Sequence, residues 1–239
     1  MPKTSFHKNS DSPMWARSCP ELKDIDFIHL GLLRCISVVD SGRHFLQTNE
    51  QIYGQLLPHS KFYSKKNWRA DIAKIDTQII HVFALYTPEA RDLRQLIAFL
   101  KITNELDRTV NTSRSFIRDF PYVLSKEIDQ YFILEYAIPL QKTCVVSVES
   151  ALALFSIDDK SEVAELYKTV VIEEEKNDEF YKIIEKSLLK KISNDIQLSN
   201  EYQAVMFTLR RLEKIADRAL NIASLMHFAK VGGDINRVK

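Results

Sequence analysis

A chain of 239 residues can hold one large domain or two ordinary ones, and 45% apolar side chains are enough to bury a sizeable core. Its 33 basic and 32 acidic residues leave a formal charge of +1, so composition gives no strong pull toward nucleic acid or anionic lipid. Only 5 glycines and 7 prolines occur, few for a protein of strands and tight turns, and no apolar run approaches a membrane span.

In chain order, residues 1–23 are polar, lack the apolar run of a secretory leader, and are expected to form a loosely ordered arm. Ile25, Ile28, Leu32, Cys35 and Val39 recur at steps of three and four, which predicts a first helix over about 24–47. Gly54 and Pro58 interrupt the stretch 51–66, which reads as a short helix with a loop. A second helix is predicted over about 67–85, with Trp68, Ile72, Ile75, Ile79 and Val82 on its stripe. A third helix is punctuated at its start by Thr87 as a cap, Pro88 at the first helical position, and Glu89 and Asp92 in the first turn. Its stripe is Leu93, Leu96, Leu100, Thr103, Leu106 and Val110, and Pro121 is expected to stop it after about Asp119.

Beyond Pro121 the pattern begins again. A helix over about 126–156 carries Ile133, Ala137, Leu140, Cys144, Ser147, Ala151 and Leu154, with a possible bend at Pro139. Asp159 and Glu162 form a capping-box pattern ahead of a helix over about 160–191. The last helix follows Ser193-Asn194-Asp195 and is expected to end near Gly232-Gly233, where glycine can turn left-handed. The expected architecture is therefore all-α, with two tandem, pseudo-symmetric three-helix bundles at about 24–121 and 122–239. Three cysteines without a Cys-x-x-Cys pair, Cys19, Cys35 and Cys144, fit reduced thiols in a cytoplasmic protein. The basic doublets, Arg210-Arg211 among them, read as surface.

The chemistry is concentrated on the last helix. Glu213 and Asp217 are four residues apart, so they share one face beside the apolar stripe of Val205, Leu209, Leu212, Ala216, Leu220 and Ala223. Acids at that edge either border the solvent or gather as ligands in a cleft between helices. An altered copy stands 106 residues earlier, where Asp107 matches Glu213 and Asn111 matches Asp217. On the preceding helix the stripe of Val163, Leu166 and Val170 gives way for two turns to Glu173-Glu174-Glu175-Lys176-Asn177-Asp178, then resumes at Tyr181. Glu174 and Asp178 repeat the four-residue spacing, although a solvated charge run explains them as well.

Two three-helix units with an acid motif on each third helix resemble the PhoU family. Members often carry Pro-x-Ala-x-Asp-Leu-Arg, here Pro88-Glu89-Ala90-Arg91-Asp92-Leu93-Arg94, ahead of the first acid motif. Leu106-Asp107-Arg108-Thr109-Val110-Asn111 stands where the family has Leu-Glu-Arg-Ile-Gly-Asp, and Leu212-Glu213-Lys214-Ile215-Ala216-Asp217 keeps the motif intact. The resemblance covers about residues 24–230. It implies a cytoplasmic negative regulator of phosphate uptake and phosphate homeostasis. Such a protein reaches the membrane only through its partners, a phosphate ABC transporter ATPase and/or a sensor histidine kinase, without nucleic acid and with a possible homodimer.

The resemblance also implies a divalent metal, iron, Mg, Mn or Zn, on Glu213, Asp217, Glu174 and Asp178, with Asp107 as a weaker ligand in the first unit. Asn111 supplies an amide oxygen but no charge, which predicts a lopsided protein with its better site in the second unit. Carboxylates alone, without histidine or thiol, suit the harder ions better than zinc. Accessory action on a different phosphate carrier is the near alternative, and a bare structural adaptor is another. A ferritin-like di-metal enzyme would need Glu-x-x-His pairs, and none of the six histidines has glutamate three residues before it. No enzymatic activity is expected.

Overall fold

The computed structural model describes residues 68–86, 88, 90–124 and 127–233; the predicted arm, the predicted first helix and the stretch 51–66 lie outside them. Among the described residues all regular structure is helical. Helix α1 is Trp68–Tyr86, α2 Ala90–Val123, α3 Gln130–Ala153, α4 Lys160–Asn194 and α5 Ser199–Lys230, with a 3-10 turn at Ile196–Leu198 before α5. At 1.5 Å per residue the three longest helices reach roughly 50 Å. None of the described helices is long and apolar enough to cross a membrane.

Several ends are set by the residues that the sequence marks. Asp129, not among the marked residues, caps α3 by accepting from the Phe132 N–H at 3.1 Å, so that helix starts at Gln130 rather than near 126. The Asp159 carboxylate accepts from the Ser161 and Glu162 N–H groups at 2.9 and 3.0 Å and opens α4. Gly232 and Gly233 both turn left-handed after α5, with φ of 98° and 103°. Thr87 and Glu89 lie outside the described residues.

Two boundaries differ from expectation. Helix α2 starts at Ala90 rather than Pro88, and Ala90 holds a φ of 47°; this left-handed conformation costs an L residue about 1 kcal/mol. At its other end α2 runs past Pro121 to Val123. The Phe116 and Phe120 rings stack with centroids 5.0 Å apart and Leu124 is buried, so packing holds the last turn despite one missing backbone donor.

Helices α3, α4 and α5 pack against one another pairwise, α1 packs on α2, and α2 lies along α5. One hydrophobic core runs through all five. Every stripe residue expected on α3, from Ile133 to Leu154, is buried, as are all six expected on α5. Burial pushes the Cys144 thiol up to about 12, consistent with an inert packing residue. On α2 the buried arc is shifted: Leu96, Ile102, Thr103, Leu106 and Val110 are inside, whereas Leu93 and Leu100 stand on its exposed margin.

Polar ties fasten the α2–α5 seam and the end of α5. Arg211, expected at the surface, crosses to α2 and donates to the Ser115 carbonyl and to Asp119 Oδ2, both at 2.6 Å. The hydrogen bonds from Arg118, chiefly, and from Arg211 hold the Asp119 carboxyl below its usual range against the opposing effect of burial. Lys230 is almost fully buried, yet its Nζ donates to the Phe155 carbonyl at 3.1 Å, to the Ile157 carbonyl and to Asp158 Oδ1 at 3.4 Å. That cation ties the end of α5 to the turn after α3.

Candidate metal centre

The α4–α5 seam brings three of the expected acids together. Glu174, Asp178 and Asp217 each offer a carboxylate oxygen, and these oxygens lie within 4.8 Å of one another. Glu174 and Asp178 are one turn apart on α4, and Asp217 meets them from α5 because the two helices pack along their length. All three are partly buried.

Glu213 stands beside this triad, one turn back along α5. Its side chain is 13% exposed, and its Oε2 is buried without a hydrogen-bond partner. Burial raises its pKa above the usual carboxylate range; the Lys214 hydrogen bond opposes the rise, and the charges of Asp217 and Asp178 add to it. The Tyr181 hydroxyl, pushed up to about 12 chiefly by burial and by Glu185, feels the Glu213 charge as well.

A lysine already serves part of this set. Lys214 Nζ donates to Glu213 Oε1 at 2.9 Å and to Asp217 Oδ2 at 2.7 Å. Burial works against its charge, but the bonds to Asp217 and Glu213 outweigh it and raise its pKa. Lys182 Nζ stands 3.9 Å from Asp178 Oδ2, an exposed pair of little weight. The donor set fits a hard divalent ion: every ligand is a carboxylate oxygen, and one of them, Glu213 Oε2, is buried and orphaned.

The polar interruption on α4 contains a residue whose role the sequence does not disclose. Asn177 is completely buried and donates through Nδ2 to the Leu140 carbonyl at 2.8 Å and to Thr143 Oγ1 at 2.7 Å. It carries the α4 stripe across the gap by hydrogen bonding where Val170 and Tyr181 carry it by apolar contact, while Glu174 and Asp178 turn to α5. Its place in a run at apolar spacing was the available signal.

The earlier motif is built differently. Asn111 Nδ2 donates to Asp107 Oδ2 at 3.0 Å, and Arg69 Nη2 donates to Asn111 Oδ1 at 3.3 Å. Arg69 Nε lies 3.6 Å from Asp107 Oδ1. Both functional groups of this motif are therefore engaged by an amide and a guanidinium. Asp107 does not join any group of three close metal-binding side chains among the described residues.

The PhoU domain model matches residues 140–226, which contain all four acids of the α4–α5 seam. The phosphate-specific transport system accessory protein PhoU homolog of Caulobacter vibrioides is 27% identical over 164 residues, covering 68% of this chain and 69% of that protein. The corresponding PhoU homolog of Zymomonas mobilis is 24% identical over 206 residues, 85% of this chain and 81% of that one. In fold the chain matches the crystal structure of PhoU from Pseudomonas aeruginosa with a TM-score of 0.61, at 19% identity and over 87% of this chain and 92% of that one. The chain is accordingly similar to PhoU proteins in sequence and in fold, and the stretch that matches the PhoU domain, residues 140–226, is the one that carries the acid seam.

Proposed function

We propose that this protein is an accessory regulator of a phosphate-specific transport system, restraining phosphate uptake and phosphate-starvation signalling through contact with the transporter ATPase and/or its sensor kinase in the cytoplasm. The relatives' names support the transport role. The observation that carries the chemical part is the convergence of Glu174, Asp178 and Asp217 within 4.8 Å, beside the orphaned Glu213 oxygen. A divalent cation there would supply positive charge to carboxylates that otherwise repel one another. The protein's own part is positional. Helices α4 and α5 hold the acids in register, Asn177 anchors the acid-bearing turn of α4 to α3, and Lys214 neutralises one oxygen on each of Glu213 and Asp217.

Lys214 also supports a second reading, in which its ammonium is the only cation the seam requires and the acids are purely structural. One preparation separates the two readings: the full-length protein captured on membranes that carry the phosphate transporter, with elemental analysis of the eluate. The regulator reading expects recovery of the transporter ATPase or the kinase together with about one or more divalent ions per chain. Recovery of neither partner would overturn the transport role, and a metal-free preparation unchanged by added Mn, Fe, Mg or Zn would leave Lys214 as the whole account.

A further inference from the structure

The face of α5 turned toward α2 carries a second charged feature, opposite in sign to the acid seam. A groove of about 390 Å³ runs between these helices, and Arg210, Arg211, Lys214 and Arg218 line it from α5. Thr112 and Ser115 line it from α2. Positions 211, 214 and 218 fall on one helical face, a row of cations roughly 10 Å long. Phe207, 60% exposed, also lines the groove, one turn before Arg211.

These cations are not equally matched. Arg211 has Asp119, and Lys214 has Glu213 and Asp217. Arg218 is half-buried, and its Nη1 donates to the Arg108 carbonyl at 3.0 Å and to Thr112 Oγ1. It has no carboxylate oxygen within 4.0 Å among the described residues; Arg108 is a neighbouring like charge, and the charges of Glu105 and Asp217 reach it only from further off. Arg210 is exposed and likewise forms no ion pair among the described residues. The groove thus holds a guanidinium fixed in place by neutral acceptors, in partial burial, with a second unmatched guanidinium on the same helix. An anion with several acceptor oxygens relieves that imbalance, and the planar fork of arginine matches such an anion in two directions at once.

We propose that this groove binds a phosphoryl-type oxyanion, with Arg218 as its fixed anchor, the Ser115 hydroxyl as a further donor, and Arg210, Arg211 and Lys214 as surrounding charge; Thr112, whose hydroxyl donates to the Arg108 carbonyl, holds Arg218 in place. Free inorganic phosphate supplies that chemistry, and so does the phosphate tail of a nucleotide whose base lies on Phe207. The groove shares Lys214 with the acid seam, whereas its anchor, Arg218, is held by acceptors on α2.

The test is equilibrium dialysis of the full-length protein, stripped of metal, against radiolabelled inorganic phosphate and separately against ATP. Saturable binding of at least one is expected, weakened about tenfold in Arg218→Gln and severalfold in Arg210→Glu. Arg218 also ties α5 to α2, so Arg210→Glu, which removes no interhelical bond, is the variant that must retain the wild-type circular-dichroism melting curve. Phe207→Ser separates the sources: loss of ATP affinity with phosphate unchanged selects the nucleotide, and equal binding of both ligands in wild type and variant selects the phosphoryl group alone. Absence of saturation by either ligand at about 10 mM overturns the proposal. Unchanged affinity in both arginine variants does the same, as does binding of a polyglutamate peptide when neither phosphate nor ATP binds.

Discussion

The two acid motifs of this chain began as counterparts in sequence and ended as opposites in chemistry. On α2, Asp107 faces an amide one turn away and a guanidinium from α1, so its charge is answered from within the protein. On α5, Glu213 and Asp217 share one lysine and meet two further carboxylates from α4, so more negative charge gathers than one ammonium offsets. With an amide at position 111 and an arginine at 69, the α2 motif is a closed polar contact. Equivalent positions in a repeat therefore do not carry equivalent function: the neighbour across the helix seam decides.

The sharpest way to break that comparison is metal content. Replacing Asp178 and Asp217 together by asparagine is expected to remove nearly all bound divalent ion, because two of the three clustered oxygens lose their charge. Asp107→Asn is expected to leave metal content unchanged. Elemental analysis after dialysis against Mn or Fe(II) reads both, and loss of metal from the Asp107 variant would invert the assignment.

How far these differences were visible in the sequence can be judged residue by residue. The stripes on α3 and α5, the Asp159 cap and the glycine stop at 232–233 were legible because helical period and end chemistry are local. So was the difference in charge between the two motifs, since Asn111 stands where the α5 motif has Asp217. Three features were not. Arg211 and Arg218 reach across to α2, Lys214 bridges two acids, and Asn177 satisfies a carbonyl on α3. Each depends on which helix packs alongside and at what height, and spacing along one chain does not encode that. The run Glu173–Asp178 announced an interruption in the core stripe without showing that one of its members would be buried.

Two asparagines extend the comparison to stability. Asn177→Ala removes a fully buried amide that donates to the Leu140 carbonyl and to Thr143, and a loss of about 2 kcal/mol is expected. Asn111→Ala breaks partly exposed contacts to Asp107 and Arg69, and about 0.5 kcal/mol or less is expected. Urea unfolding of the two variants gives the ranking directly. Equal losses would mean that the two motifs are equally built into the core.

A gain of function is the next smaller effect. Asn111→Asp alone gives the α2 motif the second acid that the α5 motif has but leaves Arg69 beside it, so only weak metal uptake is expected. Asn111→Asp combined with Arg69→Ala frees both carboxylates and is expected to add a second, weaker binding event in a Mn titration. If the single variant binds as well as the double, the guanidinium is not what closes the α2 motif.

The smallest expected effect is in pH, and its sign follows from Glu213. Its folded-state pKa is raised above the ordinary glutamate value of 4.5, first by burial. A group raised in this way favours the folded state below its unfolded pKa, and that contribution is lost as pH rises through the folded value. The metal-free protein should therefore become less stable as pH climbs from the ordinary glutamate range through the raised value. Glu213→Gln should flatten that part of the profile and stabilise the metal-free protein at neutral pH. On α2 the Asp119 carboxyl is shifted the other way, downward, so Asp119→Asn should instead remove stability that the protein gains as pH rises through the acid range. Thermal melts in chelator across pH 4 to 8 or so separate the two variants. A profile that Glu213→Gln does not alter would place the burdened charge on another member of the seam, and Asp178→Asn and Asp217→Asn would then identify which one.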